Sequence, residues 1–352
     1  MIERRTFIKK LIGWLAAFFI MVGLGWLGYH LLGEDKHPPD QGAADEKSKG
    51  NGKTEKNGLH NGLHKEGEAE DKMIPKRKLG KTGISVSLFS LGGEATVEKM
   101  DRAAQAEEII NRAIDLGINY IDTAPTYGGG GSESNIGRVM DYRRDEVFLA
   151  SKTGDRTYDG TMKLVEQSLE RLQTDYLDLY QLHNVRTTGD LEQAFGNKGA
   201  IKALEELKGQ GVIRFTGITG HKDPDVLLQG IKEYPFDCML MSFNAGDIHY
   251  ASFQEKLLQE AVKLEMGIIA MKVTARGRIF QEGGLSSMQQ ALDYVFSFPI
   301  STAIVGISSV EEVEENARIA ADFKELGTEE IKKLADLTKS YADEANFFKH
   351  HW

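Results

Sequence analysis

Eight short runs rich in β-branched and apolar residues, each followed by an amphipathic helical stretch, limit this chain to a handful of folds. The runs are residues 85–91, 120–123, 147–152, 177–182, 215–219, 238–243, 267–271 and 302–305. The helical stretches lie at 103–116, 132–140, 161–172, 200–210, 224–233, 253–264, 288–297 and 310–323, with apolar residues at helical spacing, as in Ala104, Ile109, Ile110, Ala113 and Leu116. Eight strand–helix units in succession predict an α/β fold, a closed parallel (β/α)8 TIM barrel whose chemistry sits on the loops after the strands' C-terminal ends. An open doubly wound sheet is the competing architecture. It usually has fewer units and a Gly-rich first turn, whereas Gly128-Gly129-Gly130-Gly131 follows the second strand and does not form G-x-G-x-x-G. Residues 77–86, with a Gly turn, predict a hairpin that plugs the barrel floor.

The barrel domain is expected to span 73–352, and two segments of different character precede it. Residues 11–32 contain no Lys, Arg, Asp or Glu and are long enough as a helix to cross a hydrocarbon layer of roughly 30 Å. Arg4, Arg5, Lys9 and Lys10 precede this run, which orients the N-terminus inward and everything downstream outward. Arg4-Arg5-Thr6-Phe7-Ile8-Lys9 also resembles the bacterial twin-arginine export signal, whose route carries folded proteins. No convincing small-x-small cleavage site follows Leu32, so residues 1–33 are expected to stay as a transmembrane anchor. The membrane and the twin-arginine machinery are the partners this implies, with the barrel on the extracytoplasmic side. Residues 34–72 are polar, contain Pro38-Pro39 and almost lack apolar groups, so burial cannot offset their ordering entropy and they read as a disordered linker. The repeat Asn57-Gly58-Leu59-His60, Asn61-Gly62-Leu63-His64 within it is better explained as solvated linker than as a weak metal site with His37.

Charge and cysteine usage exclude other classes. A net charge of -10 with no cationic cluster beyond the N-terminus argues against a general nucleic-acid binder. One cysteine, Cys238 in an apolar run, cannot build an intrachain disulfide or a thiolate metal cage.

Once the barrel is assumed, the strand ends can be compared. Asp122 and Tyr127 follow the second strand, Lys152 ends the third and His183 follows the fourth. A buried lysine beside an aspartate stays charged, and a cation near a phenol favours the phenolate, which predicts a lowered Tyr127 pKa suited to proton transfer. A histidine at the same mouth can polarise a carbonyl oxygen. A barrel for metal-assisted hydrolysis would need a His-x-His or carboxylate cluster at its strand ends, and the sequence offers neither.

The residues around these positions resemble the aldo/keto reductase family over 76–342: Ile121-Asp122-Thr123-Ala124 with Tyr127-Gly128, Ser132-Glu133-Ser134-Asn135-Ile136-Gly137, Ser151-Lys152-Thr153 and Gln181-Leu182-His183. Gly217-Ile218-Thr219 and Val305-Gly306-Ile307-Ser308-Ser309 with Glu315-Asn316 are similar to its later signatures. The resemblance implies hydride transfer between a nicotinamide cofactor, NADP or NAD, and a small carbonyl or alcohol substrate. It makes Tyr127 the general acid, tuned by Lys152 and Asp122, and gives His183 the task of orienting the carbonyl. It also implies a cofactor site built from Thr219, Met271, Lys272, Gly306, Ser308, Ser309, Glu312, Glu315 and Asn316.

Departures from the family pattern concern the cofactor. Thr219-Gly220 and Leu240 stand where an amide clamp of Ser-Asn and Gln is common, and Met271 replaces a stacking aromatic. Gly306 and Glu312 occupy positions that often carry phosphate-binding cations, and an acid repels a 2′-phosphate while accepting hydrogen bonds from a free ribose, which leans the cofactor towards NAD. A nucleotide-binding accessory or redox-sensing subunit with little turnover is the alternative function. Residues 153–160 and 184–197 and the tail after 342 are expected to be irregular and to shape the substrate pocket, although an aromatic end such as Phe347, Phe348, His350, His351 and Trp352 is more often a packed or frayed terminus.

Overall fold

In the computed structural model, residues 73–351 are described. The expected anchor, the linker with its His-containing repeat, and Trp352 lie outside them. Among the described residues no helix is long and apolar enough to cross a membrane.

A hairpin comes first, with β1 (Lys76–Lys78) antiparallel to β2 (Ser85–Ser87). Its tip plugs the floor of the barrel, as the Gly turn suggested. Leu79 is fully buried among interior residues that include Tyr120, Leu179, Cys238 and Ile269. Gly80 has φ +52°, and a Cβ there would meet the backbone nitrogen of Gly267 at 2.3 Å, so only glycine allows this approach.

The eight barrel strands are β3 (Phe89–Ala95), β4 (Tyr120–Asp122), β5 (Phe148–Thr153), β6 (Leu177–Leu182), β7 (Ile213–Gly220), β8 (Cys238–Ser242), β9 (Gly267–Met271) and β10 (Thr302–Ile307). All neighbours pair in parallel, and β10 closes the ring by pairing with both β9 and β3. Alternate side chains point inward, so Cys238 and Leu240, or Ile269 and Met271, fill the interior. The outer helices are α1 (Ala103–Asp115), α2 (Gly131–Arg143), α3 (Tyr158–Leu172), α4 (Thr188–Phe195), α5 (Ala200–Gly209), α6 (Pro224–Glu233), α7 (Lys256–Lys263), α8 (Met288–Phe296) and α9 (Val310–Asp322). Three more, α10 (Thr328–Thr338), α11 (Ala342–Ala345) and α12 (Phe347–His351), end the chain.

Three expectations need correction. The run at 85–91 is two strands meeting at Leu88, whose N–H bonds Pro75 at 2.8 Å in the hairpin while its C=O accepts from Ala303 at 3.0 Å in the barrel. The expected loop 184–197 contains α4, because Thr187 and Asp190 form a capping box that satisfies the exposed amides of its first turn. The tail after 342 is helical and packed. Lys349 and Asp247 pair at 2.6 Å with both side chains fully buried, and the ammonium also donates to the carbonyls of Tyr250 and Ala251. The second Asp247 oxygen takes the backbone amides of Phe253 and Gln254, so one carboxylate holds both the tail and the loop after β8.

Breaking this pair leaves an uncompensated buried charge. Lys349→Met is expected to lower the unfolding free energy by about 3–5 kcal/mol in urea titrations, and adding Asp247→Asn to recover part of that loss.

Candidate active site

Asp122 is the last residue of β4 and Lys152 the fifth of the six in β5; both are buried to within 1% exposure. The register sets Asp122 opposite Ala150, two residues before Lys152 on the same face of β5, and Lys152 opposite Gln181. There the Lys152 ammonium donates to Asp122 Oδ2 and, at 2.8 Å, to the carbonyl of Thr123. The other Asp122 oxygen accepts from Gln181 Nε2 at 3.3 Å. Burial alone would discharge the lysine, but Asp122 and Tyr127 outweigh it and hold the Lys152 pKa above the ordinary value.

Tyr127 reaches this pair from the following turn. Gly128, Gly129 and Gly130 all have positive φ, and a Cβ on Gly128 would lie 2.1 Å from the Glu98 carbonyl, so the glycine run is a backbone device that folds the phenol back over the mouth. The Tyr127 hydroxyl is 3.4 Å from Lys152 Nζ, and its ring meets that of His183 edge-on with centroids 5.9 Å apart. The four candidate residues therefore share one site. One expectation fails here: burial outweighs the nearby ammonium and pushes the Tyr127 pKa up to about 12, where a lowered value was predicted. Two acids, Asp122 and Glu94, add to the upward push.

His183 follows β6, and its position depends on Arg156. That buried guanidinium donates to the carbonyls of His183 at 2.7 Å and Asn184 at 3.1 Å. Val185 is in turn held by the Thr219 carbonyl at 2.7 Å. Burial, then the cations Lys152, Arg156 and Lys272 together with His221, lower the His183 pKa well below the usual histidine value, so the ring is neutral at pH 7.

Two cavities open from this point. A groove of about 630 Å³ passes Asp122 and Tyr127 and reaches Gly306, Ser308, Glu312, Glu315 and Asn316 at the start of α9. A smaller cavity of about 220 Å³ is bordered by Tyr127, Lys152, His183, Asn184, Arg186 and His221. Met271 and Lys272 line both. Two of the expected cofactor residues stand apart from the groove. Thr219 borders the small cavity, where its hydroxyl accepts from the Asn184 amide at 2.8 Å, and Ser309 caps α9 by accepting from Glu312 N. The Ser132–Gly137 motif is scaffold: buried Glu133 ties Ser151, the neighbour of Lys152, to Arg171.

Sequence reasoning missed Glu94, Arg156, Arg186 and His221. Glu94 binds Lys272 at 3.4 Å and Arg276 at 2.7 Å between the two cavities, and an acid after Gly92-Gly93 at the end of a barrel strand was a signal available for it. His221, directly after β7, carried the same signal; Arg156 acts through backbone carbonyls and carried none.

A groove of this size suits a dinucleotide. Lys272 and Arg276, both paired with Glu94, line it together with Met271 and Gly306, and these are the residues that would hold such a cofactor. When bound, the reduced cofactor would supply a hydride.

The aldo/keto reductase family model matches residues 88–283. The chain is 30% identical over 310 residues to the uncharacterized oxidoreductase YqkF of Bacillus subtilis, covering 75% of this chain and 96% of that protein. It is 28% identical over 299 residues to L-galactose dehydrogenase of Arabidopsis thaliana, covering 73% and 91%. The holo form of aldo-keto reductase AKR11C1 from Bacillus halodurans superposes with a TM-score of 0.65 at 26% identity, covering 75% of this chain and 96% of that one.

Difference ultraviolet titration of the protein against Tyr127→Phe should show the missing phenol ionising near about 12, where an ordinary tyrosine ionises near 10.0. With its fold, the geometry of its strand ends and its sequence in agreement, the chain belongs to the aldo/keto reductase family and is an NAD(P)-dependent oxidoreductase.

Proposed function

We propose that the protein reduces a small aldehyde or ketone, or oxidises the matching alcohol, with Tyr127 as general acid and base. The observation that carries this is the Tyr127 hydroxyl set 3.4 Å from an ammonium that is itself fixed on Asp122. A phenol with its pKa near 12 holds its proton at neutral pH and has it to give. As the proton leaves, the adjacent ammonium stabilises the phenolate, so the charge that burial resists in the resting site is offset during transfer. Neutral His183 donates a hydrogen bond to the same substrate oxygen, and two donors aimed at one oxygen stabilise it most when it carries negative charge. An accessory, non-catalytic role draws no support from a site in which all four groups are in place.

We also propose NAD as the preferred cofactor. The groove beside α9 presents Glu312 and Glu315 and, among its lining residues there, no cation. The Glu312 carboxylate is pinned by the Ser308 amide at 2.7 Å, where it would repel a 2′-phosphate. NADH should bind at least about tenfold more tightly than NADPH by fluorescence titration, and Glu312→Lys should narrow the gap. Equal affinities would overturn this preference.

The decisive test follows NADH and NADPH absorbance with a panel of aldehydes. Tyr127→Phe is expected to lower kcat by about 10²–10⁴ while nucleotide still binds. Nucleotide binding without turnover of any carbonyl by the unsubstituted protein would overturn the reading.

We propose further that residues 1–33 anchor the barrel on the extracytoplasmic side, as the paired arginines and the following uncharged run suggest. Protease added to intact bacterial spheroplasts should then degrade the barrel domain, and complete protection would contradict that placement.

A further inference from the structure

The small cavity at the catalytic mouth has an unbalanced charge. Four cations stand at or beside it: Lys152, Lys272, Arg276 and Arg186. Two carboxylates answer them, and both are committed, Asp122 to Lys152 and Glu94 to Lys272 and Arg276 together. Among the described residues, none hydrogen-bonds or ion-pairs with the Arg186 guanidinium. Asp190, the acid nearest in sequence, is engaged elsewhere. It accepts from the backbone amides of Arg186 and Thr187 and from Arg156 Nε, so it fixes the Arg186 main chain and leaves the side chain to the cavity.

Position makes this charge useful. Arg186 lies three residues after His183 on a segment pinned by Arg156 and Thr219, so its Cα is held relative to the catalytic imidazole. Its side chain is exposed yet borders the same cavity as Tyr127 and His183. The two histidines report the same field: burial first, and then neighbouring cations, lower both His183 and His221, the latter to about 4. A cavity of about 220 Å³ suits a small molecule. A guanidinium at such a site pairs best with a planar or tetrahedral oxyanion, through two parallel N–H···O bonds.

Building on the carbonyl-reduction reading, we propose that the substrate is a small aldehyde or ketone that also carries a carboxylate or phosphate, bound by Arg186 while its carbonyl faces Tyr127 and His183. The anionic group is a spectator. The hydride from the reduced nicotinamide goes to the carbonyl carbon and the Tyr127 proton to the carbonyl oxygen, and no bond to the anionic group changes.

Matched pairs test this on the full-length protein with NADH: succinic semialdehyde against butanal for a carboxylate, and glyceraldehyde 3-phosphate against glyceraldehyde for a phosphate. The charged member of at least one pair should have the higher kcat/KM by about tenfold or more, mainly through KM, and the pair with the larger ratio identifies the anion. Arg186→Gln should collapse that ratio towards one, and Arg186→Lys should leave an intermediate value. Ratios near one in the unsubstituted protein, or a ratio that survives Arg186→Gln, would overturn the proposal. A second measurement does not depend on turnover. Calorimetric titration with succinate and with inorganic phosphate should show binding that Arg186→Gln weakens by about tenfold. Failure to reduce any carbonyl would count against the reductase reading alone, whereas absent or unaltered anion binding would count against the anion site.

Discussion

The buried ion pair between Lys152 and Asp122 is the constraint to which the rest of the mouth conforms. Two charges removed from water cost several kcal/mol each unless every remaining valence is met. Here the ammonium is shared by Asp122, the Thr123 carbonyl and the Tyr127 hydroxyl, and the second carboxylate oxygen takes the Gln181 amide. Satisfying these partners requires a fixed register among β4, β5 and β6, which sets Asp122 against Ala150, two residues before Lys152 on the same face of β5, and Lys152 against Gln181. The glycine turn after β4 then has one task, to return the phenol to the ammonium. An arrangement with so few alternative geometries is held in advance, which is what electrostatic stabilisation of a transient oxyanion demands.

The barrel is closed differently at its two ends, and the difference follows from what each end must do. At the floor, Leu79 enters the apolar interior from a tight hairpin, and Gly80 allows contact with β9 that no side chain would permit. At the mouth, closure is polar. The Lys349–Asp247 pair draws the C-terminal helix over the loop after β8, and this sets the Phe348 ring edge-on against His221, with centroids 6.1 Å apart. The tail therefore reaches the small cavity at second hand, through an imidazole that lines it. A wall made by a docked terminal segment can vary in sequence without disturbing the strand ends beneath it.

Much of this was legible in the residues because the barrel imposes a period. Seven of the eight strands fall where apolar and β-branched runs predicted them, and the four candidate side chains that meet at the mouth were found by asking which polar groups end those runs. The eighth run was misread because Leu88 is apolar in both the hairpin and the barrel, and hydrophobic pattern does not show a change of hydrogen-bonding partner. Helix α4 was missed because its stability comes from Thr187 and Asp190 at the cap, while Thr188, Gly189 and Gln193 give a weak apolar stripe. The Tyr127 pKa was misjudged in sign because a neighbouring cation can be inferred from sequence but the depth of burial opposing it cannot. Arg156 was invisible for a related reason: it works by holding carbonyl oxygens, and backbone acceptors leave no mark on residue type.

Charge is divided along the groove in a way that ties cofactor and substrate together. The acids Glu312 and Glu315 stand at one end, the cations Lys272 and Arg276 at the other, and Glu94 holds both cations at the junction with the small cavity. Any diphosphate that takes up Lys272 and Arg276 competes with Glu94 for them. A carboxylate released from two cations would then face the cavity that also contains Arg186, and the positive excess there would fall unless Glu94 found a new partner. On the anionic-substrate proposal, cofactor binding and substrate affinity would be linked through this one side chain, and thermodynamic reciprocity would require the substrate to influence the cofactor by the same factor. Glu94 also adds to the upward push on the Tyr127 pKa, so a single carboxylate acts both on the groove's two cations and on the phenol at the junction of the two cavities.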